Sequence, residues 1–178
     1  MKNIALSLAA GLALASSAFA GTEVSHKDFK GTPPMAEPCF RDTEFQLDLF
    51  GTYTDSRHSS RYSDGFGGGL AVNYFFMRYI GIGVDGNVFD GNANGVWDVT
   101  SHLIARYPIE GGSFCFAPYA FAGGGVETDG TTSGTYHAGG GLEWRATHQF
   151  GIFAEGRYTW AAQNNDAAQA RLGVRFAF

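Results

Sequence analysis

From Glu44 to the C-terminus, apolar and polar residues alternate one by one over most of the chain. Successive side chains on a strand point to opposite faces, so a period of two predicts strands with one apolar and one polar face. Eight such segments follow one another. EFQLDLFGTYT puts Phe45, Leu47, Leu49 and Tyr53 together. DGFGGGLAVNYFF aligns Phe66, Leu70, Val72, Tyr74 and Phe76; after a short turn at Met77 and Arg78, YIGIGVDGNVF aligns Ile80, Ile82, Val84 and Val88. VWDVTSHLIARYP aligns Trp97, Val99, Leu103 and Tyr107, and the turn IEGGS leads into FCFAPYAFAGGGV. TYHAGGGLEWR aligns Tyr136, Ala138, Leu142 and Trp144, and FGIFAEGRYTW aligns Phe150, Ile152, Ala154, Tyr158 and Trp160. RLGVRFAF closes the series with Leu172, Val174, Phe176 and Phe178.

Long connections (DSRHSSRYS, DGNANG, ETDGTTSG, AAQNND) alternate with short ones. Strands of roughly 9–11 tilted residues cross a bilayer. Lipid cannot hydrogen-bond a free strand edge, so such a sheet must close on itself. The segments therefore predict an all-β fold over residues 44–178, an eight-stranded antiparallel up-and-down transmembrane β-barrel with both termini on one side.

The N-terminus supplies a route to a membrane. MKNIALSLAAGLALASSAFA has a basic start, an apolar run and a small-residue Ala18-Phe19-Ala20 end. This predicts a secretory signal peptide over residues 1–20, cleaved after Ala20. Residues 21–43 are polar, hold three of the five prolines and read as an irregular periplasmic tail.

Charge sharpens the picture. A net charge of −5 argues against a nucleic-acid partner. Lys27 and Lys30 lie in the tail and no lysine follows them, whereas water-facing strands of soluble β-proteins commonly carry lysine. The polar face of the segments instead carries Asp48, Asp85, Asp98, Glu143 and Glu155 with Arg106, Arg145, Arg157, Arg171 and Arg175. Acids balanced by arginine predict a paired interior network, since buried charges are tolerated when paired. Glycine fills much of the rest of that face and is expected to leave room for the arginines in a lumen that side chains can fill. Tyr53, Tyr74, Phe76, Tyr79, Trp97, Tyr107, Trp144, Tyr158 and Trp160 fall near strand ends, as in the aromatic girdles of membrane barrels.

With its signal peptide, eight segments, APYAFAGGGV, FAEGRYTW and terminal RLGVRFAF, the chain resembles small outer-membrane β-barrel proteins of the OmpA/OmpX-like class over about residues 44–178. The resemblance implies residence in the cell outer membrane, contact with its lipid and lipopolysaccharide, and delivery by the barrel-assembly machinery. It implies that Gly173, Phe176 and Phe178 form the assembly signal; the polar residue usual three positions before the glycine is Ala170 here.

Other motifs carry less. GIGVDG, Gly81 to Gly86, has the glycine spacing of a dinucleotide site. Alternation continues through it with no helix to follow, so the glycines read as barrel wall. His102 and His137 share the polar face without an evident third ligand and read as hydrogen-bonded lumen residues; no metal site and no cofactor are expected. FDGNANG and QNND read as turns. His58-Ser59-Ser60 has the His-x-Ser spacing of outer-membrane lipid A deacylases, but Arg61 stands where that motif has Asn, and no positioned base is evident. No catalytic residue is assigned.

Cys39 and Cys115 are the only cysteines. Both fall at the periplasmic rim and are expected to form a disulfide, which requires the tail to fold under the lumen. The chain as a whole reads as a monomeric, non-enzymatic scaffold for outer-membrane integrity or adhesion, displaying four surface loops. Two alternatives remain at this level: a narrow channel for ions or small solutes, and a secreted lipocalin-like carrier with an apolar lumen.

Overall fold

The structure, a computed structural model, describes residues 38–56, 62–91, 95–111, 114–128, 132–161 and 166–178. The predicted signal peptide, most of the tail, His58-Ser59-Ser60 and parts of FDGNANG and QNND lie outside the described residues.

The strands are β1 Glu44–Asp55, β2 Tyr62–Met77, β3 Ile80–Gly91, β4 Val96–Arg106, β5 Ile109–Gly111, β6 Phe114–Thr128, β7 Thr132–Arg145, β8 Phe150–Ala161 and β9 Ala167–Ala177. Each pairs antiparallel with its sequence neighbour, apart from β4 and β5. β1 pairs with β9 and β4 with β6, which closes the sheet. β5 is the continuation of β4. Pro108 has no N–H to give the ladder, but Tyr107 N still donates to Pro118 O at 2.8 Å, and Ile109 meets Phe116 in the register that pairs Arg106 with Tyr119. The barrel thus has eight staves. The turn expected at IEGGS begins later than the sequence indicated, because Ile109–Gly111 stays in the ladder. The turn expected at Met77 and Arg78 also moves. A register shift between Phe75 and Met77 keeps Met77 in β2, and Arg78 and Tyr79 make the turn.

Burial is inverted relative to a water-soluble protein. On β1, Gln46, Asp48, Thr52 and Thr54 are buried while Phe45, Leu47, Leu49 and Tyr53 are exposed. The same alternation runs through β4, where Asp98, Thr100 and Arg106 point in and Trp97, Val99 and Leu103 point out. All nine aromatics named above as girdle residues face outward. An unbroken exposed apolar face of this extent is stable only in contact with lipid or detergent.

The chain end is part of the closure. Phe178 N donates to Phe45 O at 2.8 Å, Phe45 N donates to Phe178 O at 3.3 Å, and the two rings lie 6.3 Å apart. Closure by β1 therefore holds the terminal aromatic in place.

Inward glycines solve a packing problem, though a different one from that expected. Four of them face aromatic rings rather than arginines. Phe50 registers with Gly69, Tyr119 with Gly141, Phe121 with Gly139 and Phe153 with Gly173. A Cβ on any of these four glycines would stand 2.6–2.7 Å from the facing ring. A ring lying down over the neighbouring strand needs that strand to carry no side chain at that point.

Candidate functional site

The site available for chemistry is the lumen, and its side chains fall into levels. At the tail end, residues 38–43 fold under the barrel. Cys39 and Cys115 are disulfide-bonded, with Cα atoms 6.0 Å apart. This fixes Phe40, fully buried, beneath the lumen with Cys115 and Ala117. Phe40 N donates to Glu110 Oε1 at 3.0 Å.

Directly above Phe40 sits Glu44, the first residue of β1. Arg145 reaches it with two nitrogens, at 2.6 and 2.7 Å, and Arg106 Nη1 with one, at 2.8 Å. Arg145 Nε donates to Glu143 Oε1 at 2.6 Å. Both guanidiniums also face the Phe40 ring, with Arg145 4.2 Å and Arg106 5.0 Å from its centroid. A cation over an aromatic face is attracted most strongly where water is excluded.

The middle level is built on Arg175. Nε and Nη2 hold the two Asp48 oxygens at 2.7 and 2.6 Å, and Nη1 donates to Glu143 Oε2 at 2.7 Å. Asn73 Nδ2 donates to Asp48 Oδ2 at 2.8 Å. The Phe153 ring lies 4.7 Å from the Arg175 guanidinium. Three acids, Glu44, Asp48 and Glu143, and three arginines, Arg106, Arg145 and Arg175, are matched in these two levels. Two-point arginine–carboxylate pairs of this kind are the geometry that offsets charge burial best.

The outer level centres on Asp85. Arg157 Nη1 and Arg171 Nη2 share its Oδ1 at 3.0 and 3.2 Å, and Thr100 Oγ1 donates to its Oδ2 at 2.7 Å. Arg171 also meets Glu155 at 3.4 Å, and Arg157 Nη2 lies 3.6 Å from Asp98 Oδ2. His102 and His137 stand beside Asp85 with ring centroids 5.7 Å apart. Beyond this level, Phe89, Val96 and Ala167 pack together as an apolar cluster near the other end. A cavity of about 20 Å³ lies between the middle and outer levels, bordered by Asp48, Asp85, Arg171 and Arg175. That is room for about one water molecule.

All ten charged residues singled out in the sequence thus lie in the lumen with an ion-pair partner, Glu155 being the least deeply set. Sequence reasoning missed Glu44 and Phe40. Glu44 shares the inward parity of Gln46 and Asp48, which was the available signal; Phe40 lies outside the alternating pattern and left none. Gly81 to Gly86 lie within β3, with strand rather than helix continuing after them. Gly173 and Phe176 lie in β9, and Phe178 directly after it.

No protein-family profile matches the chain, and no curated protein matches it by sequence. Solved structures do match its fold. The N-terminal β-barrel domain of Pseudomonas aeruginosa OprF aligns at TM-score 0.61 and 17% identity, covering 76% of this chain and 97% of that domain. Neisserial surface protein A aligns at 0.59 and 16%, covering 78% and 98%. The P. aeruginosa outer membrane protein OprG aligns at 0.52 and 14%, covering 80% and 99%. At these identities the likeness is one of fold. The chain has the architecture of the small eight-stranded transmembrane β-barrels.

Proposed function

We propose that this protein is a sealed, non-enzymatic scaffold of the outer membrane, reached through a cleaved signal peptide, and that it presents its longer loops at the cell surface. The observation that carries this reading is the filled lumen. Matched ion pairs and aromatic rings occupy the interior, and the cavity between the charge levels holds about one water. A conducting pore needs a continuous water path, and a lipocalin-like carrier needs an apolar lumen; neither suits this interior. The partners in this reading are membrane lipid and lipopolysaccharide against the outer wall, and the barrel-assembly machinery during insertion, with Gly173, Phe176 and Phe178 as its signal. The barrel acts as a monomer.

The test is planar-bilayer recording of refolded protein, with a gel shift between boiled and unboiled samples as proof of folding. Folded, inserted barrels that pass no discrete current support the sealed scaffold. Reproducible single-channel openings from the same preparation would replace it with the narrow channel, and recovery of the exported protein from the soluble fraction would replace it with the carrier.

A further inference from the structure

We infer that the outer half of the lumen holds a divalent transition-metal site formed by Asp85, His102 and His137, which goes beyond the scaffold reading. The three residues come from β3, β4 and β7. One ligand atom from each lies within 4.8 Å of the others, and Asp85 Oδ2 is 3.3 Å from His102 Nδ1. Bonds of about 2.1 Å to a tetrahedral ion set ligand atoms roughly 3.4 Å apart, so a modest rotation of the imidazoles closes the set.

A glycine makes the meeting possible. His102 registers with Gly123 on β6, and Gly123 registers with His137 on β7. A Cβ at Gly123 would stand 2.7 Å from His102 Cβ. With no side chain on the intervening strand, the two rings reach each other across it.

The second observation is unused bonding capacity. His137 is 2% exposed and its Nε2 has no hydrogen-bond partner among the described residues; Asp98 Oδ1 is in the same condition, while His102 Nδ1 has only the 3.3 Å approach of Asp85 Oδ2. Leaving buried polar atoms without partners is costly, and such atoms call for a bound species. Charge selects its sign. The inner acids and arginines balance, whereas among the described residues Asp85, Asp98 and Glu155 share two arginines, Arg157 and Arg171. Two imidazoles and one carboxylate suit zinc or a neighbouring transition metal, with water completing the shell.

Arg157 is the element that must yield. Its Nη2 lies 3.3 Å from His137 Nδ1 and 3.6 Å from Asp98 Oδ2. A metal on His137 Nε2 puts the ring proton on Nδ1, which repels the guanidinium. Arg157 then moves toward Asp98 and supplies the partner that Asp98 Oδ1 lacks.

The experiment is metal analysis of refolded barrel in detergent micelles, dialysed with Zn²⁺ alone, together with the absorption spectrum of barrel loaded with Co²⁺. Wild type and His148→Ala, altered in the β7–β8 turn, should each retain one zinc per chain. His102→Ala and His137→Gln should retain none while still showing the gel shift of a folded barrel. The cobalt form should show the intense visible bands of a tetrahedral nitrogen–oxygen site. Zinc-free wild type, or full retention in folded His137→Gln, overturns the proposal. If the histidine variants fail to fold, the cobalt spectrum decides alone, because weak octahedral bands in wild type also overturn it.

Discussion

Arg145 and Glu44, 101 positions apart in the chain, meet through two hydrogen bonds of 2.6 and 2.7 Å at the base of the barrel, and both side chains are at most 1% exposed. Arg106 shares the same carboxylate. Glu44 therefore bridges two guanidiniums that come from β4 and β7.

Removing Glu44 should leave both arginines buried without their shared acid. Breaking a buried pair in this way costs about 3–5 kcal/mol. Glu44→Ala is expected to lower the urea midpoint of unfolding in micelles accordingly. A midpoint within error of wild type would mean that water enters the base of the barrel and solvates the arginines.

The disulfide closes a stretch with a sequence separation of 76. Chain-entropy reasoning assigns a loop of that length about 4 kcal/mol. Cys39→Ser should therefore lower stability by up to that amount and free the segment carrying Phe40. The bond itself is checked by alkylating unreduced, denatured protein. Neither cysteine should react; labelling of both would refute the pairing.

Gly139 faces the Phe121 ring, and a Cβ there would stand 2.6 Å from the ring tip. Overpacking of this kind costs about 1–3 kcal/mol. Gly139→Ala should destabilise the barrel, and adding Phe121→Leu should recover part of the loss. Simple additivity of the two changes would show that the ring and the glycine are not coupled.

Leu103 is 63% exposed in the middle of β4's outward face. If that face meets lipid, Leu103→Arg should cost about 2–4 kcal/mol. On the outside of a soluble barrel the same change would fall within about 0.5 kcal/mol. Refolding yield into lipid vesicles and the urea midpoint separate the two cases.

Phe178 exchanges backbone hydrogen bonds with Phe45. Deleting it removes one pair of ladder contacts from a closed sheet, so in vitro stability should fall only slightly. If Phe178 also serves the assembly machinery, the amount of heat-modifiable barrel in cells should fall far more. Equal, small losses in both settings would leave Phe178 a purely structural role.

The inward glycines show where sequence reading reached its limit. GGG runs within alternating segments were legible as barrel wall, because the alternation continued through them. That Gly69, Gly139 and Gly141 face Phe50, Phe121 and Tyr119 was not, because the facing residue depends on the register between strands. The stretch Ile109–Gly111 likewise reads as a turn in the sequence, and only the neighbouring strand shows that pairing resumes there.

The sequence by itself determined the outward face of seven of the eight staves; FCFAPYAFAGGGV, whose Tyr119 and Phe121 point inward, showed no such face. Alternation is a local property, and an apolar outer face with a charged inner one follows from side-chain parity alone. It also determined that the lumen holds arginines and acids. Only the tertiary structure decided which acid meets which arginine, why Glu44 serves two of them, and that Asp85, His102 and His137 converge across Gly123. Those meetings join side chains from strands separated around the barrel. Their heights depend on the stagger set by closing β1 against β9, a relation that no single segment contains.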